Sequence, residues 1–150
     1  MNDTDTALLR AELAQDPAGL GYAPLVAAGD DVAVADALNA VRQGIQVPCL
    51  VERHRVKTLL YGTGEMLGIK SGTSGEARLA AMYLDDPDYQ NVDLGLPVVQ
   101  GLLFALLTGG VLSQETVDTI QIMGQRPGSR AEQLGLEPVT HLDVARALRG

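Results

Sequence analysis

The sequence predicts a compact all-α domain, and three observations carry that prediction. Phe, Tyr and Trp together make up 3% of the 150 residues, so the core must be built of Leu, Val, Ile, Ala and Met, a palette that favours helices. The 17 Gly and 7 Pro are spread along the chain, which calls for several short helices instead of one long coiled coil. The stretch 96–123 reads as a buried helical hairpin around which the other elements pack.

That hairpin is the organising element. Leu96, Val99, Leu103, Leu106 and Leu107 follow helical spacing, while Val98, Leu102 and Phe104 extend the apolar surface to nearly every side, the pattern of a helix buried by neighbours. Phe104, the only Phe, is therefore expected in the core. Gly109-Gly110 breaks the run. Ser113 then suits the cap of a second helix carrying Val117 and Ile120, with Glu115 favourably placed in its first turn. A membrane span is excluded here, because Asp93, Pro97, Gln100 and Gly101 leave far fewer than the roughly 20 apolar residues a bilayer requires.

Taken in order, Thr4 or Asp5 is placed to cap a first helix over 6–15, with Leu8, Leu9 and Leu13 on one face and Asp16-Pro17 ending it. Turn chemistry around Tyr22 and Pro24 leads to a second helix over 32–43, capped by Asp30 or Asp31 and closed by Gly44. Pro48 is read as opening a third helix, although IQVPCLV also fits a short edge strand. Glycines at 62, 64 and 68 mark a short segment, and a loop at 71–75 introduces a helix at about 76–84. In the tail, Ser129-Arg130-Ala131-Glu132 matches the capping box, and Thr140 to Asp143 repeats it with Asp before a last helix through Leu148. A chain of this length defaults to a single domain with one core.

Composition narrows the function. A net charge of −8 and a pI near 4.5 argue against a nucleic-acid partner. Lone Cys49 forms no internal disulfide, and the acidic N-terminus lacks the basic and apolar regions of a signal peptide, so a cytoplasmic product is expected. Gly64 to Ser71 has neither the spacing nor the preceding strand of a phosphate loop. The acidic loop with Asp86, Asp88 and Asn91 has Asn and Pro where a Ca²⁺ loop needs Gly and Glu. Cys49 and His54 fall on different faces of a helix, and His141 has no metal-ligand partner in sequence. No catalytic residue, cofactor or metal is therefore expected. Arg53, Arg55 and Lys57 form a basic segment suited to an acidic partner, another copy of the chain included, and Arg130 beside the capped helix start suits a neighbouring subunit's carboxylate.

The opening LLRAELAQDPAGLGYAPLVAAGDDVAVADALNAV, a helix ending in Asp-Pro, a Gly-Tyr turn and an Ala-Asp-x-Leu-Asn helix, resembles the start of small proteins encoded in the structural-gene regions of tailed bacteriophages. The closing Ser-Arg-Ala-Glu-x-Leu-Gly followed by Val-Thr-x-x-Asp-Val is similar to that group's usual end. Gly19-Leu20-Gly21-Tyr22 departs from the group, which more often has Arg between these glycines. The resemblance implies a non-enzymatic component of the virion, assembled in the host cytoplasm and contacting other virion proteins and copies of itself, with no nucleic acid or membrane partner. The competing expectation is an assembly chaperone or regulatory module that binds a partner helix and is absent from the finished particle.

Overall fold

The computed structural model describes residues 1–150. Helix dominates, at 62% of the chain, but the structure is not purely all-α. In order the elements are α1 (Asp3–Gln15), α2 (Tyr22–Ala28), α3 (Asp31–Asn39), β1 (Arg42–Pro48), β2 (Val51–Glu52), α4 (Arg53–Thr63), α5 (Glu65–Ser71), α6 (Gly75–Asp85), β3 (Asn91–Val92), α7 (Pro97–Thr108), α8 (Gln114–Met123), β4 (Gln125–Gly128), α9 (Arg130–Gln133) and α10 (His141–Arg149). The chain forms two units, one of Met1–Val47 with Pro127–Gly150 and a second of Pro48–Arg126. Buried apolar residues form two clusters, where the sequence reading has one core.

Unit 1 joins the two ends of the chain. Leu9 and Leu13 of α1, Tyr22 of α2, Val34 and Leu38 of α3, and Val144 and Ala147 of α10 are buried in one cluster. Helix α1 starts earlier than 6 because Asn2 is the cap: its side chain accepts from the Asp5 amide at 2.8 Å, and the Asp5 carboxylate accepts from the Asn2 amide in return. Asp16, in the left-handed region at φ 42°, ends the helix before Pro17. The expected turn at Tyr22 is instead the short helix α2. Both tail capping boxes are present, Ser129 with Glu132 and Thr140 with Asp143.

The chain leaves unit 1 along β1 and returns along β4, and these strands pair with each other. The expected helix opening at Pro48 is thereby corrected at its start: the chain is strand at Arg42–Pro48 and Val51–Glu52, the alternative that the segment also fitted, and helix begins only at Arg53. Ile45 and Val47 are buried while Gln46 is exposed, a period of two that β-branched residues satisfy better in a strand than in a helix. Gly128 on β4 is required by this approach, since a Cβ there would come within 2.5 Å of a Val47 methyl.

Unit 2 contains the hairpin. Helices α7 and α8 fall within 96–123 as expected, joined through Gly110 at φ 69° and with Ser113 accepting from the Thr116 amide at 3.2 Å. Val99, Leu103, Leu106, Val117 and Ile120 pack with Val56 and Leu60 of α4, Met66 and Ile69 of α5, and Ala80 and Leu84 of α6. Val51 and Val92 pair across the short antiparallel β2–β3 ladder. No helix is long and apolar enough to cross a membrane.

Candidate functional site

Helix α7 has the sequence PVVQGLLFALLT, and no charged residue occurs between Asp93 and Glu115. Its inward face is Val99, Leu103 and Leu106. Its outward face is also apolar: Val98 is 68% exposed and Phe104 67%, with Gly101 exposed between them. The expectation that Phe104 is a core residue is thus corrected. A helix apolar all round can be covered only if neighbours surround it, and within unit 2 they cover one side. On α6, Ala77, Ala80 and Leu84 point inward while Leu79 and Met82 are exposed.

A cavity of about 140 Å³ lies among these helices, with Val56, Leu60, Ala80, Leu84, Val99 and Leu103 among its walls. Leu79 and Val98 line it and are exposed, so it reaches the surface between α6 and α7. The one side-chain polar atom in the lining is the Tyr83 hydroxyl, which donates to the Asn91 carbonyl at 3.5 Å. An ordered water needs two or more polar partners, so the space suits carbon, and leaving it empty costs at most about 3 kcal/mol. What the arrangement can do chemically is seat an apolar side chain.

Several polar groups of unit 2 are paired within it. The Glu65 carboxylate accepts from the Ser113 amide at 2.7 Å and the Thr63 hydroxyl at 3.0 Å. Burial pushes its carboxyl up, and hydrogen bonds from Thr116, Ser113 and Thr63 outweigh that and hold it below the usual range. Asp85 receives Lys57 at 3.1 Å and Lys70 at 2.9 Å, so the lysine of the Gly64–Ser71 segment is held in an ion pair. Hydrogen bonds from Lys70 and then Lys57 hold the Asp85 carboxyl low. The Asp86 carboxylate accepts from the Asp88 amide of its own loop at 2.9 Å. Cys49 is half-buried with its thiol 3.6 Å from the Met123 carbonyl, and His54 is exposed. No three His, Cys, Asp or Glu side chains cluster as metal ligands would.

The predicted interface cations fall into different settings. Arg53 donates to the Asp86 carbonyl, Lys57 is paired with Asp85, and Arg55 stands exposed. Arg130 is corrected outright: it lies in unit 1, its side chain 15% exposed, with Nε and Nη2 donating to the two Glu12 oxygens at 2.8 and 2.7 Å. Glu12 is 4% exposed and was missed from the sequence, although it lies three residues from Leu9 on the apolar face of α1, where a carboxylate signals a buried partner. No protein-family model, curated protein or solved structure matches the chain.

Proposed function

We propose that this protein is a non-enzymatic structural or accessory component of a tailed-phage virion, working through protein–protein contacts. The observation that carries the reading is the outward face of α7 with the cavity mouth beside it. A chain of net charge −8 that leaves Val98, Phe104, Leu79 and Met82 in water presents an apolar surface suited to another protein. The resemblance of both chain ends to small proteins from tailed-phage structural-gene regions supplies the setting. Elsewhere in unit 2, Glu65 and Asp85 are held in hydrogen bonds and ion pairs, and the α7 face itself carries no charged side chain, which supports a binding role over a chemical one.

The apolar cavity also suits an assembly chaperone that captures one partner side chain and leaves before the particle is complete. Mass spectrometry of gradient-purified particles separates the two readings. The protein should be present in a fixed ratio to the other particle proteins. Its absence from particles together with binding to an unassembled precursor would select the chaperone, and absence from both would overturn both readings.

A further inference from the structure

We infer that the cavity inside unit 2 is a binding site for a free, neutral hydrocarbon ligand, a single ring or an alkyl group of about six carbons. The site is distinct from the outward face of α7 on which the virion reading rests, and it can be occupied whether or not the protein joins a particle. Protein interiors pack as densely as organic crystals, and voids larger than a water molecule are few. This one has a volume of about 140 Å³, whereas a single water needs roughly 10–15 Å³. Its walls come from every helix of the unit: Leu60 of α4, Ile69 of α5, Ala80 of α6, Val99 of α7 and Ile120 of α8, with Val92 of β3 beside them. A space bounded by five helices lies at the centre of the packing, not along one loose seam. Leu60, Ile69 and Ile120 are fully buried, while Leu79 and Val98 at the mouth are exposed, so a ligand can enter without unfolding the unit.

Size and chemistry select the occupant. Clefts that take drug-sized ligands begin at about 300 Å³, roughly twice this volume, whereas an apolar cavity of about 150 Å³ stays dry and takes benzene or xenon. No charged side chain lines the cavity, and the Tyr83 hydroxyl already donates to the Asn91 carbonyl. A carboxylate or ammonium would therefore be buried without a partner, which keeps the ligand neutral. A free molecule can pass wholly inside and be enclosed, whereas a partner's side chain stays joined to a backbone that the mouth must hold outside.

Methyl NMR on the full chain, titrated with benzene, tests the site. Saturable shifts should appear at Leu60, Val99 and Ile120, with Leu9 and Val144 of unit 1 unmoved and a dissociation constant below about 1 mM. Benzoate, the same ring with a carboxylate, should bind at least about ten-fold more weakly. Ala80→Leu puts three more carbons into the space and should weaken benzene at least about ten-fold. Val99→Ile, a smaller filling, covers the case in which Ala80→Leu does not fold, and should weaken benzene about four-fold. N-acetyl-phenylalaninamide, which carries the ring on a backbone, should bind less tightly than benzene; tighter binding would give the cavity to a partner's side chain and overturn the free ligand. Shifts that never saturate, that spread equally over both units, or that ignore the filling substitutions also overturn the inference.

Discussion

Two units of similar length use their side chains in opposite ways. Unit 1 closes on itself: Glu12 and Arg130 form a two-pronged ion pair, Asn39 both donates to and accepts from the Val139 backbone, and Arg10 donates to the Ala147 carbonyl. Each contact ties an N-terminal helix to the C-terminal segment. Unit 2 also ties Glu65 to Ser113 and Asp85 to Lys57 and Lys70, but its core is aliphatic packing round an apolar cavity, and it carries ten of the fifteen exposed large apolar side chains. Polar side chains with fixed partners specify a closed structure, whereas apolar surface without a cover is available for binding.

Removing Arg130 should produce the largest effect. Arg130→Ala strands a carboxylate that is 4% exposed, and breaking such a pair costs about 3–5 kcal/mol. Denaturant unfolding will register it, while the double substitution Glu12→Leu with Arg130→Met should restore most of the loss. A near-neutral Arg130→Ala would erase the contrast between the units.

Acid should act on both units alike. Burial pushes the Asp16 carboxyl up, but the Leu20, Gly21 and Tyr22 amides outweigh it; for Asp143 the Thr140 hydroxyl outweighs burial. Both are held below the usual carboxylate value, as are Glu65 and Asp85 in unit 2. A depressed folded value contributes stability that is present above the unfolded value and lost as pH falls through the folded one. The melting temperature should therefore be flat from pH 7 to about 5 and fall below about 4, with amide exchange rising in both units, each of which holds two of the four groups.

Smaller effects probe one buried group in each unit. Tyr22 is fully buried and its hydroxyl has no hydrogen-bond partner; burial, and then the charges of Glu12 and Asp16, push its ionisation well above the ordinary value. Tyr22→Phe should therefore gain about 1 kcal/mol in a thermal melt. Val99→Ile adds one methylene to the cavity wall in unit 2 and should gain about 0.8 kcal/mol. If it destabilises instead, the space is already filled.

Much of this was legible in the sequence. The α7–α8 hairpin, the Ser129 and Thr140 boxes and the end of α1 at Asp16-Pro17 are local signals, each set by residues within a few positions of one another. What the sequence reading lacked is long-range. Glu12 and Arg130 are far apart in the chain, so the pair that removes Arg130 from the surface leaves no local trace. Phe104 sits in a run of apolar residues whose periodicity marks a helix without saying which side has neighbours. The two clusters exist because residues 1–47 pack with 127–150, a closure that no periodicity encodes.

The smallest stability effect bears most directly on whether unit 1 holds itself together while the α7 face of unit 2 binds. Phe104→Ala, at a position 67% exposed, should change stability by less than about 0.5 kcal/mol, because surface substitutions rarely do more. The deciding measurement is the amount of Phe104→Ala protein in gradient-purified particles beside its melting temperature. If the α7 face binds, the melt is unchanged and incorporation falls at least ten-fold; an unchanged melt with wild-type incorporation would show that this face does not bind.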